Sequence, residues 1–391
     1  MILTAKQEQG LQLAVQRYKT NEPYTCIGGF AGSGKSTLVR FIIDALQVPL
    51  HQVCYVAYTG KAAQVLRRKG CANAMTAHRL LYKSIPLENG RFKHIPRASI
   101  EPFKVIVVDE VSMLPKRMWE TLLAHGKYVI ALGDPGQLPP IAGDNNEVLE
   151  HPHIFLDEIM RQAQENEIIR LTMHIREGKS LELFSGKDVR VVPRSEILKD
   201  GFLFWGDQIL CAKNVTRRQF NSTIRKISLN VTDNLPIIGD KVICLRNDWD
   251  FVNLSGDALV NGLSGTVKKI TYLDPHHPLF NPFMKETPLI DVMPDYDDTS
   301  IFEDIDIDYK LFSDGEPSIN WENWKQIPKP YHPHEFDYGY VITVHKAQGS
   351  EWDKVIVFEE YMKDQTRDDF KRWLYTAATR AAKKLIIVRA T

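Results

Sequence analysis

Residues 24–37 read Tyr24-Thr-Cys-Ile-Gly28-Gly29-Phe30-Ala31-Gly32-Ser33-Gly34-Lys35-Ser36-Thr37. A short apolar run leads straight into a glycine-rich loop that fits G-x-x-x-x-G-K-[ST], and an amphipathic stretch follows. The pattern predicts a strand, a tight loop and a helix, the opening unit of a parallel α/β sheet. In that setting the glycines let backbone N–H groups close around phosphate oxygens at a helix N-terminus. Lys35 is then placed to reach the β- and γ-phosphates of ATP, and the Ser36 hydroxyl to ligate Mg²⁺. Gly29, Ala31, Gly32, Ser33, Gly34, Lys35, Ser36 and Thr37 form the expected phosphate-binding set.

Downstream, Val105-Ile-Val-Val-Asp109-Glu110 predicts an apolar strand that delivers two adjacent carboxylates at its C-terminal end. Asp109 suits the Mg²⁺ ion, and Glu110 suits the orientation and deprotonation of an attacking water. A Glu beside the metal-binding Asp argues for hydrolysis over phosphoryl transfer to a small molecule. A further run, Tyr128–Leu132, ends in Gly133-Asp134-Pro135-Gly136-Gln137-Leu138-Pro139-Pro140. There Gln137 is expected at the γ-phosphate edge. With Val53–Ala57, these runs make a first parallel sheet whose ligands lie at its loop ends. Gln208–Ala212, Tyr340–Val344, Lys354–Phe358 and Lys384–Val388 predict a second α/β sheet.

The 391 residues carry 49 Lys plus Arg against 49 Asp plus Glu, so a uniformly basic coat is excluded while a local basic channel is not. At roughly 150 residues per domain, two or three domains are expected. No apolar run approaches the roughly 20 residues that span a bilayer, and the polar N-terminus lacks a secretory apolar stretch. The five cysteines show no C-x-x-C spacing. A reduced, cytoplasmic protein is the expectation.

Two inserts break the α/β pattern. Residues 83–103 contain Asn89-Gly90 between apolar-containing flanks, the signature of a tight hairpin turn. Residues 236–336, rich in Pro, Gly, Asp and aromatics, predict a small all-β domain. Its acidic stretch 295–308 reads as a solvated loop. Trp249, Trp321 and Trp324 suit either a core or base stacking.

Taken in order, several segments resemble the superfamily 1 helicases, in particular the compact Dda-like members of the RecD-like branch. They are Gly29–Thr37, Tyr58-Thr59-Gly60-Lys61, Thr76-Ala-His78, Asp109-Glu110, Gly133–Pro140, Arg161-Gln162, Thr343-Val-His345-Lys346-Ala-Gln348-Gly349-Ser-Glu351 and Tyr375-Thr-Ala-Ala-Thr379-Arg380. The resemblance runs from Thr4 to Val388. It implies two RecA-like parallel-sheet domains, at 1–82 with 104–155 and at 156–235 with 337–391. The insert at 83–103 becomes a strand-separating pin and the one at 236–336 an SH3-like accessory domain. Gln7 resembles the residue that reads adenine. Arg161 and Arg380 resemble the arginines that reach the γ-phosphate from the second domain, which ties hydrolysis to closure of a cleft. Gly349 and Glu351 resemble contacts to the nucleotide from the far side.

The resemblance also implies a path for single-stranded DNA over the sheet loops. Thr59, Gly60, Lys61, Thr76, His78, Thr343, His345, Lys346 and Gln348 are the expected contacts, directed at backbone phosphates that set register without reading sequence. Phe92 is the expected stacking residue of the pin, where a base–aromatic contact is worth roughly 1–3 kcal/mol. The implied activity is ATP-driven 5′→3′ movement with duplex separation at junctions. A monomer is implied, with single-stranded-DNA-binding or replication proteins as candidate partners, in a bacterial or phage-infected cytoplasm. Two alternatives stay open: a nucleic-acid-stimulated ATPase that acts on RNA or remodels protein–DNA complexes, and a phosphate-loop kinase or nucleotide switch without nucleic acid.

Overall fold

The structure is a computed structural model that describes residues 3–86, 92–138, 146–160, 165–277, 280–284, 286–296, 298–313, 315, 327–328, 331–363 and 365–390. The chain divides into two compact units. One comprises Met1–Lys83, Pro96–Lys213 and Thr343–Thr391, the other Ser84–Ile95 and Asn214–Ile342.

In the first unit six strands form a parallel sheet in the order Ala74–Thr76, Val53–Ala57, Val105–Val108, Tyr128–Gly133, Tyr24–Gly29, Ile154–Leu156. The strands are apolar almost throughout because helices cover both faces. Side chains alternate across a strand, so neighbouring residues enter different cores. Val105 and Val107 pack with Ala14, Leu38, Val39, Ile42 and Ile43. Ile106 and Val108 face the opposite way, among Leu80, Leu81, Met118, Trp119 and Leu122. Such double cover fixes the loop ends of the sheet as a rigid rim. A second, mostly parallel set runs Gln208–Cys211, Trp352–Phe358, Ala381–Val388 and Val189–Val192, with Phe184–Ser185 antiparallel at the edge. Two RecA-like parallel sheets thus make up the α/β core.

The second unit contains an antiparallel five-stranded sheet in the order Phe302–Asp306, Pro288–Pro294, Ser264–Tyr272, Lys241–Cys244, Phe336–Tyr338. It closes over a core that includes Val242, Val267, Ile290, Val292, Phe302 and Phe336. The helix Asn214–Leu229 belongs to this unit. Tyr82–Pro86 and Phe92–Pro96 pair as a two-stranded sheet, and the Asn89-Gly90 turn lies outside the described residues.

Candidate nucleotide site

The buried strand Tyr24–Gly29 hands the chain to the loop before the helix Lys35–Leu46. Gly34 has a φ of 81°, and a Cβ there would lie 2.5 Å from Gln7 Nε2, so only glycine fits. At Gly29 a Cβ would come within 2.7 Å of Ser33 Oγ and 2.9 Å of the Leu156 carbonyl. Lys35 Nζ donates to the carbonyls of Gly29 at 2.6 Å and Phe30 at 3.0 Å. Burial draws the Lys35 ammonium below its ordinary pKa, opposed by the carboxylates of Asp134, Asp109 and Glu110. Ser36 and Thr37 lie in the first turn of the helix that Lys35 opens.

Asp109 follows directly on Val105–Val108, and its N–H donates to the Val56 carbonyl at 2.9 Å. Burial and then the Glu110 charge push its carboxyl up, while Lys35 opposes both. Glu110 sits at φ 50°, ψ 55°, a left-handed conformation that costs a non-glycine residue about 1–2 kcal/mol. Strain of this kind concentrates at functional sites.

Arg380, 4% exposed, reaches these groups from the end of the helix Arg367–Ala378. Its Nη2 donates to Gln137 Oε1 at 2.9 Å and its Nη1 to Glu110 Oε1 at 3.3 Å, with Ser350 O at 3.2 Å as a further acceptor. The cleft around them has a volume of about 220 Å³ and is lined by Ala31, Lys35, Ser36, Thr59, Lys69, Asp109, Glu110, Gln137, Gly349, Glu351 and Arg380, among others. Gly349 has a φ of 72°, and a Cβ there would stand 3.5 Å from Glu110 Oε2. Glu351 pairs with Lys69 at 3.0 Å.

The donor set fits Mg²⁺ with a nucleotide phosphate. The Ser36 hydroxyl and Asp109 carboxylate are hard oxygen ligands of the kind Mg²⁺ takes in ones and twos beside phosphates. The glycines leave a cradle that a Cβ would fill. Ser33 Oγ is buried and has no hydrogen-bond partner among the described residues, a spare polar atom at the loop.

Gln7 joins the first helix to the phosphate loop. Its Oε1 accepts from Thr4 N–H at 3.0 Å while Thr4 Oγ1 accepts from Gln7 N–H at 3.3 Å, a capping box for the helix Ala5–Lys19. Its Nε2 donates to the Ser33 carbonyl at 3.2 Å, which anchors that helix to the phosphate loop. Arg161 lies outside the described residues, as do Pro139 and Pro140.

The expected DNA contacts are spread along several elements. Thr59 Oγ1 caps the helix Gly60–Arg68 by accepting from Ala62 N–H, and Thr76 Oγ1 caps Ala77–Leu81 by accepting from Arg79 N–H. Gly60 is the first residue of its helix. Lys61 Nζ stands 3.6 Å over the Trp352 ring. His78 is buried and stacks on Tyr82 at 4.8 Å. Thr343 is buried, while His345 and Lys346 are half-buried in the turn Val344–Ala347. Gln348 Nε2 donates to the Leu138 carbonyl at 2.7 Å. Phe92 begins the strand Phe92–Pro96. Tyr375, Thr376, Asp134 and Lys69 were not singled out from sequence, although Asp134, Tyr375 and Thr376 stand inside the quoted motifs.

A glycine-cradled lysine, a strand-end Asp–Glu pair, a glutamine and an arginine facing one cleft define a P-loop nucleotide-binding protein with RecA-like sheets. A family model described as an AAA domain matches residues 3–190, and one described as a UvrD-like helicase C-terminal domain matches 338–388. The chain is 27% identical over 375 residues to the ATP-dependent RecD2 DNA helicase of Deinococcus radiodurans, covering 90% of this chain and 45% of that protein. It is 26% identical over 267 residues to the ATP-dependent DNA helicase dda of Enterobacteria phage T4, covering 62% of this chain and 60% of that one. The chain thus spans 45% to 60% of these relatives' lengths. A crystal structure of a Bacteroides Pif1 helicase in complex with ADP-AlF3 and ssDNA shares the fold, with a TM-score of 0.52 and 19% identity over 100% of this chain and 93% of that one. Along most of its length the chain is thus similar to ATP-dependent DNA helicases of the RecD2 and Dda kind.

Proposed function

We propose that this chain is an ATP-dependent DNA helicase or translocase that moves 5′→3′ on single-stranded DNA and separates duplex at a junction. The observation that carries the reading is the convergence of Arg380 on Glu110 and Gln137, at 3.3 and 2.9 Å, in the cleft that Lys35 lines. Arg380 and the phosphate loop belong to different sheets, so an approach of one sheet to the other changes the charge facing the phosphates. That is the physical basis for coupling hydrolysis to movement.

Within the site, Lys35 and the loop N–H groups bind the phosphates, and Arg380 and Gln137 stabilise the charge that develops on the transferred group. Glu110 holds the water and takes its proton. Ser36 and Asp109 would hold Mg²⁺, which neutralises phosphate charge when bound. Arg161 supplies a second positive charge, Gln7 reads the adenine, and Gly349 and Glu351 touch the nucleotide from the far side.

Thr59, Gly60, Lys61, Thr76, His78, Thr343, His345, Lys346 and Gln348 provide the DNA track, with Phe92 on the separating pin and residues 236–336 as an SH3-like accessory domain. The chain acts as a monomer in the cytoplasm of a bacterium or infected host, alongside single-stranded-DNA-binding or replication proteins. No helix among the described residues is long and apolar enough to cross a membrane.

The test is strand displacement with ATP and Mg²⁺ on matched duplexes bearing a 5′ or a 3′ single-stranded tail, with hydrolysis followed in the same reactions. Opening of the 5′-tailed duplex alone, lost in Lys35→Ala, supports the reading. Opening from the 3′ tail alone reverses the polarity. DNA-stimulated hydrolysis without displacement makes the chain a remodelling translocase, and no stimulation by DNA or RNA removes nucleic acid from the function.

A further inference from the structure

The helix Arg367–Ala378 meets the nucleotide site through side chains that precede Arg380. Tyr375 is 2% exposed. Its hydroxyl donates to Asp134 Oδ2 at 2.6 Å and accepts from the phosphate-loop N–H of Ala31 at 2.9 Å. A phenol has one proton to give, and with that proton on the carboxylate its oxygen is free to receive the amide. Burial, and then the Asp134 charge, push the phenol pKa up, so the group stays a donor. Asp134 also accepts from Gly136 N–H at 2.9 Å.

The next residue continues the connection. Thr376 Oγ1 accepts from Leu138 N–H at 2.8 Å and donates to the Arg372 carbonyl at 2.7 Å. The Thr376 carbonyl accepts from Arg380 Nε at 3.1 Å, and Arg380 Nη2 returns to Gln137 at 2.9 Å. Asp134, Gly136, Gln137 and Leu138 all lie on one short loop. A ring of hydrogen bonds therefore runs from the phosphate loop through Tyr375 to that loop, and back through Thr376 and Arg380.

We propose that Tyr375 is a positioning residue whose hydroxyl couples the phosphate loop at Ala31 to the placement of Arg380 against Glu110 and Gln137. The inference rests on the ATPase reading above and names a residue through which the arginine is registered. Tyr375→Phe keeps the buried ring and removes only the oxygen. It leaves the Ala31 N–H and one Asp134 oxygen without their tyrosine partner, in a site where small misplacements of reacting groups are costly.

The test is a double-mutant cycle on the whole chain: Tyr375→Phe, Arg380→Lys and both together. ATP hydrolysis is measured with and without single-stranded DNA, and thermal melting reports folding. Tyr375→Phe is expected to lower kcat about tenfold with KM within about twofold and the melting temperature within a few degrees. In the Arg380→Lys background the same change is expected to alter kcat less than about twofold, because the two residues act in series.

Equal losses in both backgrounds, or a loss carried by KM, would overturn the proposal. Should Tyr375→Phe not fold, Asp134→Asn takes its place in the cycle. It removes the charge and keeps one oxygen acceptor for the hydroxyl while the Gly136 N–H loses its own, with an expected loss of about threefold in kcat that Arg380→Lys likewise masks. A wild-type chain that hydrolyses ATP with no dependence on the hydroxyl overturns this inference alone. One that hydrolyses no nucleotide sinks the ATPase reading and this inference with it.

Discussion

In the unit that contains Asn214–Ile342, Arg225 donates from Nε and Nη2 to the two oxygens of Asp240, each at 2.9 Å, and lies 4.0 Å over the Tyr338 ring. Tyr340 Oη donates to the same carboxylate, and Arg217 pairs with buried Asp337. His334 is held between Asp306 at 2.7 Å and Asp248 at 3.1 Å. In the other unit Lys35, Asp109, Glu110 and Arg380 are drawn to the wall of an open cleft. One region closes its buried charges upon one another, and the other turns them toward a volume that a ligand can enter. Burial of charge therefore does not by itself mark a functional site; what matters is whether the charges line a volume that a ligand can enter, as Arg380 and Glu110 do even while they meet at 3.3 Å.

That contrast can be broken most forcefully at Asp240, which is 0% exposed. Asp240→Ala leaves Arg225 buried without its carboxylate and should cost about 3–5 kcal/mol in denaturant unfolding. Hydrolysis well below the transition should stay near wild type. A large loss of kcat in a fully folded variant would mean that the closed network also serves the cleft.

The mirror experiment is Glu110→Gln. It should lower kcat about 10²–10³-fold while nucleotide affinity and melting stay close to wild type. A variant that lost binding or stability in place of turnover would place Glu110 with the closed networks.

Much of this contrast was visible in the sequence on the cleft side and little of it in the other unit. Val105–Val108 and Val53–Ala57 are apolar because both sheet faces are covered, so their limits could be read directly. Lys35, Asp109 and Glu110 follow from short-range chemistry, a glycine loop and a strand end. The strands Trp352–Phe358 and Ala381–Val388 begin two and three residues before the expected Lys354 and Lys384. Asp353, Lys354, Lys383 and Lys384 hide those starts with exposed polar side chains. Tyr375 meets Asp134 across 241 residues, and Gln348 meets Leu138 across 210, so no local pattern announces either contact. The caps formed by Thr59 and Thr76 follow from the helix starts. The network of Arg225, Asp240 and Tyr340 left no sequence signal, because isolated charged residues read as surface until the fold buries them.

His334 sharpens the comparison with pH. Burial pushes its pKa down, but hydrogen bonds and charge from Asp248 and Asp306 prevail and raise it from 6.5 to about 10. The folded state binds this proton more tightly than the unfolded chain, so the pair's contribution is fully present below about pH 6.5. It fades as pH rises above that value and is gone once pH has passed about 10. Charged hydrogen bonds of this kind suggest a contribution of roughly 2 kcal/mol. Urea unfolding at pH 7 and pH 10 should show that loss, and His334→Gln should flatten it. An unchanged slope in the variant would assign the pH dependence to other groups.

The smallest effect is expected where the cleft meets solvent. Lys69 and Glu351 pair at 3.0 Å with side chains 60% and 34% exposed. Water and salt screen such a pair, so Lys69→Ala should change stability by less than about 1 kcal/mol. Lys69 also lines the nucleotide cleft and lends positive potential at Asp109. The same substitution should therefore raise the KM for ATP by about two- to threefold at low ionic strength, and the difference should vanish in 0.5 M salt. A stability loss of several kcal/mol that persists in salt would mean that the pair is closed like Arg225 and Asp240. The division between an open cleft and closed networks would then fail at its lip, where a cleft-lining charge is paired at the surface.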